Sequence, residues 1–338
     1  MRFPEFTEEW REYAIGNVLS IGNGRDYKHL HNGDIPVFGT GGYMTSVDDF
    51  LYDGESVFIG RKGTINKPLY YNGKFWTVDT LFYTHSFVNV LPKFAYCLFQ
   101  TINWLKYNEA SGVPSLSKAT IEKIKVRVPS MDEQGKLSNQ LFLLDKRIEV
   151  QNKIIEKLET LIKGIIETVI SSQKPNTFIK NCLECDSSTL QESQVAENGA
   201  YPVYGATGIS GYTETADVNG EAILITKDGS GVGTVKFADG EYSYIGTLNR
   251  LIAREGYCLK YLYFALQGFC FEPYKTGMAI PHIYFKDYGK AKIFCPTIEE
   301  QSIIAKSLSV IENKISVEKQ ILFCNQLQKS YLLSQMLI

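Results

Sequence analysis

Apolar residues recur in two long stretches of the chain at alternating spacings of three and four residues. The first stretch carries the seam Leu137, Leu141, Leu144, Ile148, Ile155, Leu158, Ile162, Ile165 and Val169, interrupted at Gln151. The second carries Ile304, Leu308, Ile311, Ile315 and Leu322, with Glu318 at the position that corresponds to Gln151. A 3.5-residue repeat sustained over this length is typical of helices that pair as a coiled coil. We therefore predict two long helices that pack together along these seams.

A globular segment separates the two predicted helices, so the chain can return and pair them antiparallel. Each helix is predicted to start with a capping box directly after a proline, at Ser130-Met-Asp-Glu133 and at Thr297-Ile-Glu-Glu300. In this motif the hydroxyl accepts a hydrogen bond from the third helical amide, and the glutamate accepts one from the N-cap amide. After Leu322 the seam positions pass to Asn325 and Lys329. This change favours contact with a different protein at that end.

The regions in front of the two helices repeat each other. Ile35-Pro-Val-Phe-Gly39 recurs 166 residues later as Tyr201-Pro-Val-Tyr-Gly205, and the trio Lys93, Tyr96 and Gln100 recurs as Lys260, Tyr263 and Gln267. Short apolar runs bounded by glycine predict strands, and the aromatic segments around the trios have helical spacing. The period is far longer than that of a solenoid. We predict an α/β (α+β) protein with similar domains at 1–129 and 174–296, followed by spacer helices at 130–173 and 297–338.

The composition is that of a globular protein and limits the chemistry to be expected. Of the 338 residues, 44% are hydrophobic and 21% are charged, and the net charge is −2. No apolar stretch is long enough to cross a bilayer. Seven cysteines, an odd number, and the lack of a signal-peptide pattern favour reduced thiols and a cytoplasmic location. The near-neutral charge argues against a broad basic surface of the kind common in nucleic-acid-binding proteins.

The sequence lacks the common catalytic and metal-binding motifs. It contains four histidines, and no nucleophile elbow, H-E-x-x-H pair, P-loop or complete dinucleotide fingerprint. The C-x-x-C pair Cys182 and Cys185 has no second pair at zinc-site spacing. We therefore expect no catalytic residue, cofactor or metal site in this chain. The glycine-bearing turn from Lys227 to Gly233 leaves open an enzyme that acts on phosphorylated ligands.

Polar loops after equivalent strands hold the candidate binding residues. The first loop contributes Arg61, Lys62, Thr64, Asn66 and Lys67 in one domain and Lys227, Asp228, Ser230 and Lys236 in the other. A later loop adds Ser111, Ser115 and Lys118 in one domain and Lys275 and His282 in the other. Arginine and lysine suit guanine edges and phosphates, and asparagine suits adenine. Two copies of one scaffold with different loops suit the reading of two short DNA sequences, although solvated hairpin tips have a similar composition.

The layout resembles the DNA-sequence specificity (S) subunit of type I restriction-modification systems. The resemblance rests on the repeated P-V-[FY]-G motif, the polar glycine turn, the Glu-Gln pair after a proline and the heptad helix after each domain. The opening Arg2-Phe-Pro-Glu-Phe6, followed by Trp10, is also similar to that family's usual start, and it has no clear counterpart before the second domain.

The resemblance implies that each domain is a target recognition domain and reads half of a bipartite sequence in double-stranded DNA. It implies that the helices set the gap between the half-sites and help to dock two modification (methyltransferase) subunits, with restriction subunits added in the full complex. S-adenosylmethionine, ATP and magnesium are then expected on those partners, and no contact with a membrane is expected. Two alternatives stay open: a protein-interaction scaffold with duplicated binding domains, and the specificity part of a related two-subunit restriction system.

Overall fold

The computed structural model describes residues 2–229 and 231–337, which form two compact units. Unit 1 comprises Met1–Asn152 and Gln320–Ile338, and unit 2 comprises Lys153–Lys319. Each unit thus combines one of the repeated domains with part of each long helix. The boundaries proposed above between domains and spacer helices stay a prediction.

Unit 1 is built around a mostly antiparallel sheet. Its strands are β1 (Arg11–Ala14), β2 (Ser20–Asn23), β3 (Asn32–Gly39), β4 (Gly42–Val47), β5 (Tyr52–Gly60), β6 (Leu69–Thr77), β7 (Leu81–His85) and β8 (Lys125–Val128). The six-stranded sheet has the order β2-β7-β5-β6-β3-β4, and β1 pairs separately with β8. Its helices are α1 (Ile15–Val18), α2 (Pro92–Thr101), α3 (Lys118–Lys123) and the first part of α4 (Met131–Ile165), with a short 3₁₀ helix at Trp104–Tyr107.

The core of unit 1 forms where the apolar run of β5 meets the aromatic face of α2. Val57 and Ile59 on β5 and Phe94 on α2 are fully buried in one cluster. Leu332 and Met336 of the last helix belong to the same cluster. Removal of this apolar surface from water is the main favourable term that holds the sheet, α2 and the long helices together.

Unit 2 repeats this architecture in two smaller sheets. Its strands are β9 (Thr177–Phe178), β10 (Leu183–Ser187), β11 (Tyr201–Gly205), β12 (Gly208–Thr213), β13 (Val218–Asn219), β14 (Ala222–Thr226), β15 (Val235–Ala238), β16 (Glu241–Tyr244), β17 (Leu248–Ala253) and β18 (Lys292–Ile293). The sheet orders are β10-β17-β14-β15 and β12-β11-β16-β13, and β9 pairs with β18. Its helices are α5 (Ile179–Cys182), α6 (Leu259–Gln267), α7 (Phe285–Tyr288) and the first part of α8 (Ile298–Met336).

The strand pairing confirms the duplication. In unit 1 the strand with the P-V-F-G motif pairs in parallel with β6, at Val37 opposite Trp76. In unit 2 the equivalent strand pairs in parallel with β16, at Val203 opposite Ser243. The other ladders in both units are antiparallel, so this single parallel contact recurs at equivalent residues. The prediction of two similar α/β domains is confirmed.

A buried glutamine anchors the start of each long helix to its own domain. Gln134 accepts a hydrogen bond from the Leu91 amide at 2.8 Å and donates to the Pro129 carbonyl at 2.9 Å. Gln301 accepts from the Cys258 amide at 3.0 Å and donates to the Pro296 carbonyl at 2.9 Å. The glutamine of the repeated Glu-Gln pair therefore ties α2 or α6 to the helix start in each unit.

The predicted capping boxes form differently in the two repeats. The carboxylate of Glu300 accepts from the Thr297 amide at 3.1 Å, and the Thr297 hydroxyl accepts from the Glu300 amide at 3.4 Å. Glu133 is fully buried, and its carboxylate instead receives Arg2 Nε at 2.7 Å and Nη2 at 2.6 Å. The prediction that this glutamate bonds the Ser130 amide was wrong, because a bidentate guanidinium is a stronger partner for a buried carboxylate.

In unit 1 the two long helices run antiparallel. Lys329 on α8 contacts Asp145 Oδ1 on α4 at 2.5 Å and Gln100 Oε1 on α2 at 2.7 Å. Further along α8, Met336 lines a cavity with Arg2 and Arg127, close to the start of α4. Asp145 and Gln100 satisfy the lysine within the unit, and the expectation that this end faces a different protein stays a prediction.

In unit 2 the helices also run antiparallel. Lys319 on α8 pairs with Glu159 on α4 at 2.7 Å. Seven residues earlier on α8, Glu312 accepts a hydrogen bond from Tyr263 of α6 at 2.6 Å, and α6 also packs on Ile166–Ser171, which directly follow α4. The predicted pairing is supported in each unit by these contacts, while interlocked coiled-coil packing along the seam stays a prediction.

The seam of α4 changes register near its end. The residues Ile166–Ser171 form a π-helical turn, which holds an extra residue and rotates the following side chains. Ile166 and Ile170 are therefore buried, whereas Val169 is 38% exposed. The heptad extrapolation to Val169 was wrong for this reason.

Substitution of the two neighbouring residues provides a test of this register. Ile170→Ala is expected to lower the free energy of unfolding by about 2–4 kcal/mol, because it removes a side chain that is only 3% exposed. Val169→Ala is expected to change it by less than about 0.5 kcal/mol. Urea unfolding of the purified chain measures both. The reverse order of effects would contradict the π-turn register.

Over residues 2–229 and 231–337, no helix is long and apolar enough to cross a membrane. The same residues hold no group of three or more His, Cys, Asp or Glu side chains placed to bind a metal ion.

Candidate nucleic-acid interface

In unit 1 the two predicted binding loops are joined by backbone hydrogen bonds. The Gly63 amide donates to the Pro114 carbonyl at 2.8 Å, and the Leu116 amide donates to the Arg61 carbonyl at 2.9 Å. Lys62 and Ser115 thus lie opposite each other in a short antiparallel bridge. The loop after β5 and the loop before α3 form one surface, which we call the loop clamp.

Unit 2 has the same loop clamp. The Gly229 amide donates to the Pro281 carbonyl at 3.0 Å, and the Ile283 amide donates to the Lys227 carbonyl at 2.9 Å. Asp228 and His282 lie opposite each other in the bridge. The match between the two later loops, which is loose in sequence, is therefore well defined in the structure.

Glycine allows the turn in both clamps. The φ angle is +93° at Gly63 and +94° at Gly229, in the region that other residues adopt at a cost. The two repeats therefore share the same backbone conformation at this glycine, although the side chains of the preceding residues differ. Lys62 in one clamp is replaced by Asp228 in the other, which reverses the charge at equivalent places.

The clamp of unit 1 borders a groove of about 530 Å³. Arg61, Lys62, Ser115 and Lys118 line this groove, so it brings together four of the predicted residues. The guanidinium carbon of Arg61 lies 5.8 Å from the centre of the Phe82 ring. This cation–π contact and a hydrogen bond from Nη1 to the Asp79 carbonyl at 3.4 Å hold the guanidinium near the groove, while its other donors stay available.

An acidic residue that the sequence analysis missed also lines this groove. Glu109 accepts a hydrogen bond from the Ser117 hydroxyl at 2.8 Å and a second, shorter one from the Thr120 hydroxyl. The hydrogen bonds from Thr120 and then Ser117 lower the pKa of Glu109, which keeps it ionised at neutral pH. These contacts tie the later loop to α3. No local sequence signal distinguishes Glu109 from other exposed glutamates.

Several predicted residues of unit 1 lie away from the groove. Asn66 and Lys67 are exposed beyond the buried Ile65, and Ser111 is exposed on the later loop. Thr64 is half-buried. Among the described residues, these four do not line the groove, and their role in binding stays a prediction.

The predicted residues of unit 2 are more strongly engaged within the domain. Lys227 Nζ lies 3.4 Å from Ser187 Oγ, and Lys275 pairs with Glu272 at 2.5 Å. Lys236 donates to the Ala206 carbonyl at 2.9 Å, and its partial burial lowers its pKa. Ser230 lies outside the described residues. The bridge residues Asp228 and His282 are half-exposed at the clamp.

The fold and the two clamps define a duplicated recognition protein, in which one loop-bearing domain occurs twice with different side chains at equivalent positions. The family model described as "Type I restriction modification DNA specificity domain" matches residues 7–160 and 183–323. The chain belongs to this family, and both repeats carry its domain.

Known proteins similar to the chain agree with this assignment. The putative type I restriction enzyme specificity subunit S.HindORF215P of Haemophilus influenzae is 22% identical over 329 residues, covering 83% of this chain and 81% of that protein. The EcoprrI specificity subunit of Escherichia coli is 27% identical over 167 residues, covering 46% of this chain and 40% of that protein.

Two solved structures share the fold. The type I restriction-modification S subunit of M. genitalium has a TM-score of 0.77 at 15% identity, covering 99% of this chain and 97% of that one. A chain from a study of complex assembly and conformational transition of the type I R-M system has a TM-score of 0.51 at 14% identity, with 98% of each chain covered. The resemblance inferred from the sequence is confirmed.

Proposed function

We propose that this chain is the specificity subunit of a type I restriction-modification complex and that each loop clamp reads one half of a bipartite DNA target. The observation that carries the proposal is the repeated clamp. Its three backbone elements, the glycine turn and two carbonyl acceptors, recur at equivalent residues, while Lys62 is exchanged for Asp228. A constant frame with different side chains is what the reading of two different short sequences requires.

The chemistry of the first clamp suits base edges and phosphates in the major groove. Arg61 and Lys62 offer donors to guanine O6 and N7 or to phosphate oxygens, and Ser115 can donate or accept. In the second clamp the carboxylate of Asp228 suits the amino group of cytosine. We therefore expect the two half-sites to differ in sequence.

Exposed apolar residues on the long helices suit the docking of further helices. On α8 in unit 2, Ile303, Val310 and Val317 are exposed at seven-residue spacing, and on α4 in unit 1, Leu143 and Val150 are exposed at the same spacing. These positions lie off the buried seams, so each helix offers a second apolar stripe. We assign the stripes to contacts with two modification subunits. Size-exclusion chromatography of this chain mixed with the modification subunit measures this contact. Elution of the two proteins as separate species would contradict it.

The chain itself supplies recognition without catalysis, while S-adenosylmethionine, ATP and magnesium bind to the modification and restriction subunits. Those subunits also share the contact with DNA phosphates, which is compatible with a net charge of −2. The complex acts in the cytoplasm, and the long helices set the gap between the half-sites.

Sequencing of modified adenines in a host with and without this gene provides a direct test. We expect one bipartite motif to lose methylation when the chain is deleted and to regain it on complementation. An unchanged methylation pattern would contradict the proposal. Genes for a modification subunit next to this one would also separate a type I complex from a two-subunit restriction system.

A further inference from the structure

Both loop clamps expose a β-branched apolar residue directly before the loop proline. Val113 precedes Pro114 and is 56% exposed, and Ile280 precedes Pro281 and is 66% exposed. The two residues are equivalent, because each following proline accepts the hydrogen bond from the glycine turn. Single exposed aliphatic residues are common on protein surfaces, but recurrence at the equivalent loop position of both copies points to a shared role.

The loops that carry these residues are held in one conformation. The Glu109 amide donates to the Ser115 carbonyl at 3.0 Å, and the equivalent Thr276 amide donates to the His282 carbonyl at 2.9 Å. In unit 1 the Asn108 side chain closes the loop further by accepting from the Ser115 amide at 2.9 Å. A preformed loop loses little conformational entropy when it binds.

The position before a proline also restricts the exposed residue itself. Steric contact with the proline ring favours an extended backbone there, and a β-branched side chain has few χ1 rotamers. Val113 and Ile280 therefore present rigid methyl groups. Val113 lines the same groove as Arg61 and Lys62, so this groove combines methyl groups with donors suited to bases and phosphates.

We propose that Val113 and Ile280 each contact the 5-methyl group of a thymine in the half-site that their clamp reads. That methyl is the apolar group on base edges in the major groove and distinguishes thymine from cytosine and from uracil. In the first clamp the rigid side chain of Val113 shares its groove with cationic donors, and in the second clamp Ile280 occupies the equivalent backbone position. The inference rests on the proposed function and adds specificity-determining residues to it.

The test uses the chain assembled with its modification subunits and the bipartite target found by methylation sequencing. Each thymine of the target is replaced in turn by deoxyuridine, which removes only the methyl group. For one thymine in each half-site, we expect binding to weaken about 3- to 5-fold, as loss of one buried methyl contact predicts. Val113→Ala and Ile280→Ala are expected to weaken binding of unmodified DNA by a similar factor.

The combination of variant and modified base separates direct contact from indirect effects. With Val113→Ala, deoxyuridine at the sensitive position of the first half-site is expected to cause no further loss. With Ile280→Ala, the same is expected in the second half-site. Val88→Ala and Ile209→Ala serve as controls, because these residues are 55% and 54% exposed outside the clamps. They are expected to retain the full deoxyuridine effect.

The outcomes distinguish failure of this inference from failure of the proposed function. If the complex prefers its target over random DNA but no deoxyuridine effect depends on Val113 or Ile280, the thymine contact is refuted and the specificity function stands. If the complex binds target and random DNA equally, the proposed function is refuted together with the inference.

Discussion

Replacing Arg61 and Lys62 together by glutamine is expected to weaken binding of the assembled complex to its target DNA by roughly 100-fold. Both side chains line the groove of the first clamp. Glutamine keeps much of each side chain's length but removes the charge and the planar fork of donors that arginine offers to guanine or phosphate. Methylation should fall at targets that carry the correct first half-site.

The ionic-strength dependence of binding identifies the type of contact. If Lys62 contacts a phosphate, the slope of log affinity against log salt should become shallower by about 1 when it is lost. Lys125→Gln is the control for the loss of the Lys62 charge: it removes one charge from the same unit outside the clamp, at a residue paired with Glu12 at 2.7 Å. Equal affinities of the control and the double variant would refute the assignment of this clamp to DNA.

Gln134→Ala and Gln301→Ala are expected to lower the free energy of unfolding by roughly 2–4 kcal/mol each. Gln134 is fully buried and Gln301 is 2% exposed, and each side chain accepts from one backbone amide and donates to at least one carbonyl. Alanine leaves these buried and partly buried backbone groups without their side-chain partner, at about 1–3 kcal/mol for a fully buried group. The loss of stability should weaken the attachment of each long helix to its own domain.

Urea unfolding of the purified chain measures this effect. Gln140→Ala is the control, since Gln140 is exposed on the same helix α4 and alanine there favours helix formation. Hydrogen exchange should show faster opening around Leu91 for Gln134→Ala and around Cys258 for Gln301→Ala. Stability equal to that of the Gln140→Ala control would refute the anchoring role.

Local physical rules were enough to predict most of the strands and the starts of the long helices. The proline and the hydroxyl residue after it place the start of α4 at Met131 and of α8 at Ile298, because the Ser130 and Thr297 hydroxyls each accept from an amide of the first helical turn. The internal repeat also carried information about tertiary structure. Two copies of one sequence pattern fold alike. The weakly similar later loops could therefore be aligned with each other from the stronger matches elsewhere in the two repeats.

The sequence by itself determined the duplication, the two heptad helices and the family, since each of these depends on local spacing and on comparison of the chain with itself. Only the tertiary structure decided which loop residues share a groove, because the bridge between Lys62 and Ser115 joins residues far apart in the chain. It also decided that Arg2 takes the carboxylate of Glu133 and that Asp145 satisfies Lys329. The partners of charged side chains depend on which surfaces come into contact on folding. The spacing of residues along the chain does not indicate which surfaces these are.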